Sequence, residues 1–122
     1  MKLRIKGNAL RLRITQSELD TFAQKGKLEE CIEFGENTLR YRLLADTNRV
    51  TLSADFASCC ITVYVPESIK EEWVTTDRTG FSSRIATSKG KELFLLIEKD
   101  FVCLDNTLED QSDNFPNPKA VC

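Results

Sequence analysis

The most reactive side chains in this sequence are five thiols, Cys31, Cys59, Cys60, Cys103 and Cys122, and no histidine accompanies them. Without imidazole there is no Ser-His-Asp or Cys-His catalysis and no mixed Cys/His zinc site. A thiol can also be activated by a nearby arginine, but no cysteine has an arginine six residues after it, as phosphate-loop phosphatases do. Cys59 and Cys60 are adjacent in a strand predicted from Cys59 to Val65, so they face opposite sides and read as core thiols. Cys103 and Cys122 flank the C-terminal segment. With Asp100, Asp113 or Cys31 they could hold a metal ion or form a redox-sensitive pair. Their spacing matches no zinc ribbon and there is no Cys-x-x-Cys, so the competing reading is a structural Cys103 and a loose Cys122. No cofactor is expected beyond that possible metal.

The basic residues form a clearer pattern. Lys2, Arg4 and Lys6 alternate with Leu3 and Ile5, and Arg11 and Arg13 alternate with Leu10, Leu12 and Ile14. The period of two places the charges on one face of a hairpin turning at Gly7-Asn8. Arg40 and Arg42 join that face if the strand Leu39-Tyr41-Leu43 pairs alongside. The candidate ligand-binding set is therefore Arg4, Lys6, Arg11, Arg13, Arg40 and Arg42, facing an anionic ligand or an acidic protein segment. The bland alternative is a solvated outer face neutralised by Glu29, Glu33 and Glu36 across strands. Only Tyr41 lies near these cations, and it should point inward, which argues against nucleic-acid binding by base stacking.

No catalytic residue can be assigned. Asp55, Glu67, Asp77 and Asp100 fall near element ends and leave a small carboxylate-based enzyme as a third reading. Gly7, Gly26, Gly35, Gly80 and Gly90 are too scattered for a dinucleotide fingerprint or a phosphate-cradling loop. Trp73, followed by Thr75 to Gly80, could anchor a partner, but a tryptophan at the core edge is the plainer reading.

These side chains need elements to hold them. After the first hairpin, Thr15-Gln16-Ser17-Glu18 has capping-box spacing, which predicts a helix from Gln16 that Gly26 ends. Strands are predicted at Leu28 to Phe34, Leu39 to Leu44, Val50 to Phe56 and Cys59 to Val65, with short links that suit antiparallel neighbours. Pro66 predicts a second short helix, with Ile69 and Trp73 four apart. Phe81 to Ala86 and Glu92 to Lys99 form a last hairpin, and the apolar run Leu93 to Ile97 marks a central strand buried on both faces. No internal repeat is visible. The expected fold is α+β: a mostly antiparallel, curved or barrel-like sheet of about eight strands with two short helices. Residues 1–104 form the single domain and 105–122 an irregular acidic tail.

With 122 residues, 41% hydrophobic and 30% charged, one core-forming domain is the default. Seventeen basic against nineteen acidic residues leave a net charge of -2, so anion binding must come from a local cluster. Charges interrupt the N-terminal apolar positions, so no signal peptide is expected, and no apolar run suits a membrane span. An odd, irregular cysteine set fits a reducing cytoplasm.

Two stretches are distinctive as a family label: Met1-Lys2-Leu3-Arg4-Ile5-Lys6-Gly7-Asn8-Ala9-Leu10-Arg11-Leu12-Arg13-Ile14-Thr15, and Glu98-Lys99-Asp100-Phe101-Val102-Cys103-Leu104 followed by Asp113-Asn114-Phe115-Pro116-Asn117-Pro118. On these the chain resembles a family of small uncharacterised bacterial proteins, a domain of unknown function, over its whole length. The resemblance implies a bacterial, cytoplasmic setting and carries no activity or site residue with it. The expectation is a non-catalytic binding or adaptor domain, with a metal- or redox-responsive protein using Cys103 and Cys122 as the rival.

Overall fold

The structure is a computed structural model and describes residues 1–101. Alternating apolar and charged residues build β1 (Lys2–Lys6) and β2 (Ala9–Ile14), and Thr15 then caps α1 (Gln16–Lys25). The capping box is complete: the Thr15 hydroxyl accepts the Glu18 N–H at 3.3 Å, and the Glu18 carboxylate accepts the Thr15 N–H at 2.9 Å. Gly26, in the left-handed region at φ 69°, ends the helix and donates its N–H to the Phe22 carbonyl. Next come β3 (Lys27–Glu33), β4 (Thr38–Asp46), β5 (Ser53–Ala57), β6 (Cys60–Pro66), α2 (Glu67–Thr75), β7 (Gly80–Ala86) and β8 (Glu92–Lys99).

The α+β class, the eight strands and the two helices match the expectation, but the strands divide into two four-stranded sheets that do not close into a barrel. One has the order β1-β2-β8-β7, the other β3-β4-β6-β5. The hairpins are antiparallel, whereas β2 pairs with β8 and β4 with β6 in parallel. A short link does not force neighbours to pair. The β4–β5 connection leads to the far side of β6, and β4 takes the near side.

The order of elements hides a repeat. Two ββαββ units, β1 to β4 and β5 to β8, exchange hairpins so that each sheet holds the first hairpin of one unit and the second of the other. The registers agree as well: Leu12 lies opposite Leu3 and Ile97, and Val63, 51 residues on, lies opposite Ala54 and Leu43. Phe22 and Trp73 also differ by 51 and meet edge to face, ring centroids 6.3 Å apart, both with no exposed surface. The repeat escapes sequence comparison because only burial is retained. Leu12 and Ile14 on β2 correspond to Val63 and Val65 on β6, while the basic positions Arg4, Arg11 and Arg13 correspond to Asp55, Thr62 and Tyr64.

The inner faces share one core containing Leu12, Ile14, Leu43, Val63, Leu95 and Ile97, with Phe22 and Trp73 at the helix end. The Trp73 indole N–H donates to the Thr79 carbonyl at 3.1 Å, so this ring is wholly interior and offers nothing to a partner. Both helices follow the same end of the sheets, and all four hairpin turns lie at the other. Among the described residues no helix is long and apolar enough to cross a membrane.

Candidate functional site

On the sheet formed by β1, β2, β8 and β7, strand alternation sends Leu3, Leu12, Leu95 and Ile97 inward and the even-numbered positions of β1 outward. The register aligns the outer face in rows: Lys2, Arg13 and Glu98; Arg4, Arg11 and Leu96; Lys6, Ala9, Phe94 and Arg84. Between the last two rows lies an open depression of about 400 Å³ bordered by Arg4, Lys6 and Arg11, with Ala9, Phe94 and Leu96 as its apolar floor.

Carboxylates are concentrated at one end of this face. Glu98 lies 2.6 Å from the Arg13 guanidinium and 3.3 Å from that of Arg11, and Lys2 pairs with Asp100 at 3.0 Å. Arg84 stacks 5.4 Å from the Phe94 ring centroid and pairs with Glu92 at 3.1 Å. Among the described residues the outer face carries six cations, Lys2, Arg4, Lys6, Arg11, Arg13 and Arg84, against Glu92, Glu98 and Asp100. That is a local net charge of +3 on a chain whose total is -2. Among the described residues positive charge is therefore gathered on one sheet face, beside an apolar floor.

Four of the six predicted basic residues are thus brought together: Arg4, Lys6, Arg11 and Arg13. Arg40 and Arg42 are not among them, because β4 pairs with β3 and β6 and belongs to the other sheet. There Arg42 donates from Nε to the buried Thr62 hydroxyl at 2.8 Å, and Arg40 lies opposite Cys31 and Cys60. Sequence reasoning missed Arg84, Phe94 and Leu96. It read the Leu93 to Ile97 run as buried on both faces, whereas only Leu95 and Ile97 are covered, and Phe94 and Leu96 are half-buried on the outer face. The bracketing of Phe94 and Leu96 by charges at Glu92 and Glu98 is the signal that was there to be read.

The cysteine expectations fare differently. Cys59 is not a strand residue: Ser58 and Cys59 form the two-residue turn of the β5–β6 hairpin, both with positive φ, and Cys59 is exposed. Cys31 is exposed and Cys60 half-buried, so no core thiol is formed by this pair. Cys103 and Cys122, with Asp113, lie outside the described residues. Among the described residues no three metal-ligating side chains gather where they could hold an ion.

A second acidic cluster surrounds the Met1 ammonium, which pairs with Glu18 and, at 3.0 Å, with Glu30. Burial pushes the Glu18 carboxyl up, but hydrogen bonds from that ammonium and from the Thr15 N–H outweigh it and hold the group below its ordinary range. The Tyr41 hydroxyl donates to Glu30 at 3.1 Å; its pKa is raised, first by burial and then by that carboxylate's charge. All of these groups tie β1, α1, β3 and β4 together and are read as structural.

No curated protein and no solved structure matches this chain. The model of a family of unknown function, DUF7009, matches residues 1–119, and the chain belongs to that family.

Proposed function

We propose that the protein is a non-catalytic binding or adaptor domain that presents the outer face of β1, β2 and β8 to an anionic ligand, best fitted by an acidic protein segment carrying apolar side chains. One observation carries this reading: Arg4, Lys6 and Arg11 border a depression floored by Ala9, Phe94 and Leu96. A purely solvated face has no use for half-buried Phe94 and Leu96 between cations, whereas an acidic, partly apolar segment would pair with the rim and cover the floor. The Glu98 carboxylate pairs with both Arg11 and Arg13 and holds those guanidinium groups in place on this face. A bacterial, cytoplasmic setting belongs to the same proposal, supported by the free thiols of Cys31, Cys59 and Cys60.

The test is a fluorescence-anisotropy titration with a labelled peptide alternating Asp or Glu with Leu or Phe. Arg4 and Lys6 are exposed, so the Arg4→Glu/Lys6→Glu variant should fold normally and weaken binding by about tenfold or more. Equal binding by both proteins, or no binding by the wild type, would overturn the proposal.

A further inference from the structure

The two sheets are plugged at one end by α1 and α2, where Phe22 and Trp73 fill the interior, and among the described residues no element plugs the hairpin end. A recess of about 650 Å³ opens there between the layers, walled by Leu10 and Leu93 from one sheet and Leu39 and Ile61 from the other, with Ile5 and Phe56 at its mouth. These form equivalent pairs of the hidden repeat. Ile5 and Phe56 occupy the same place in their hairpins, as do Leu10 and Ile61, each pair 51 residues apart. Each contributes from an opposite side, so the recess is a product of the duplicated architecture.

Four of the six exposed large apolar side chains among the described residues lie at this end. Ile5 is 60% exposed, Ile32 47%, Phe34 68% and Phe56 67%, all in or beside the hairpin turns; Val50 and Phe101 are exposed at the other end, where Phe22 and Trp73 are completely buried. Core strands gain by burying such residues, at about 25 cal/mol per Å² of apolar surface, and an apolar cleft with a few polar groups at its edge is the usual form of a small-molecule site. Among the described lining residues there is no lysine or arginine. The one ionisable group is Asp55, whose carboxylate accepts the Tyr64 hydroxyl at 2.9 Å. The other polar edges are Asn8, which already donates to the Glu92 carbonyl, and Thr87 and Ser88. A carboxylate or phosphate entering this recess would find a negative charge and no cation.

We propose that the interlayer recess is a second binding site, distinct from the basic face, that takes an uncharged apolar small molecule inserted between the sheets past Ile5 and Phe56. A concave recess of this volume favours such an occupant over a second copy of the chain, whose own hairpin end would cover the mouth but leave the interior void. The polar edge gives the ligand's outer end hydrogen-bonding partners without demanding charge.

The test uses the neutral dye 1-aminoanthracene, whose fluorescence rises in apolar surroundings, with the full-length protein. Saturable binding with one site per chain is expected. Ile5→Ser/Phe56→Ser, at two exposed positions that leave the core intact, should weaken it about tenfold, and Ala54→Phe, which projects a ring into the recess, should do the same with the protein still folded. Arg4→Glu/Lys6→Glu should leave dye binding unchanged, separating this site from the basic face. Absence of saturable binding, or binding that survives both recess variants, would overturn the proposal. So would a dimer in sedimentation velocity that the Ile5→Ser/Phe56→Ser variant dissociates, because a second copy would then be the occupant.

Discussion

Replacing Ser58-Cys59 by Asn-Gly should make the protein more stable, although it removes no bad side-chain contact. Ala57 pairs with Cys60, so the turn has two residues, and both adopt the left-handed conformation, at φ 52° and 58°. Such turns match the twist of the strands they join, and Asn-Gly is their preferred sequence. An L-residue with a Cβ bears a cost of roughly 1–2 kcal/mol there. Glycine at 59 removes that cost but loses more conformational freedom on folding, about 0.4–1 kcal/mol, while asparagine at 58 tolerates the conformation better than serine. The net expectation is a gain of about 1 kcal/mol, which for a domain of this size raises Tm by roughly 3–6 °C. Thermal and urea unfolding followed by circular dichroism would measure it, with an unchanged m-value as the sign that only stability moved. The same variant should lose one fast-reacting thiol in a disulfide-exchange assay on the native protein, because Cys59 is exposed. An unchanged or lower Tm would refute the turn and with it the β5–β6 register.

Other substitutions probe separate parts of the account. Gly80→Ala should cost about 1–3 kcal/mol in urea unfolding, because a Cβ there meets the Ile97 carbonyl oxygen and lies 3.0 Å from the Glu98 Cα. Trp73→Ala should cost about 3–5 kcal/mol, since the ring is wholly buried against Phe22 and the helix end cannot collapse around the gap. Glu18→Gln keeps the capping box but removes the charge. Because the folded-state pKa of Glu18 is lowered, its charge stabilises the protein above the unfolded-state value and the benefit fades as pH falls through the folded value. The Tm difference between wild type and Glu18→Gln should therefore be largest near neutrality and shrink from about pH 5 downward.

Much of this molecule could be read from local pattern. Thr15 and Glu18 announced α1, Gly26 its end, and the alternation of Lys2 to Arg13 the first hairpin, because each is decided by a few neighbouring residues. What failed depended on partners far away in sequence. Nothing near Arg40 says that β4 lies beside β6, so the basic face was drawn too large. The adjacent Cys59-Cys60 pair followed by Ile61-Thr62-Val63 looks like continuous strand, and only pairing with Ala57 turns Cys59 into a corner. Phe94 and Leu96 looked buried because apolar runs usually are. They lie half-buried on the outer face because strand alternation gives the inner face to Leu95 and Ile97. The duplication was invisible because the two halves share burial positions rather than residues.

In the proposed function one sheet face, and not the other, receives an anionic segment. Amide chemical-shift mapping of the ¹⁵N-labelled full-length protein, titrated with the acidic, partly apolar peptide, tests it most directly. Shifts are expected only at Arg4, Lys6, Ala9, Arg11, Phe94, Leu96 and their neighbours, fading as salt is raised. Shifts centred on Arg40 and Arg42 of the opposite sheet, or none at peptide saturation of the solution, would contradict it.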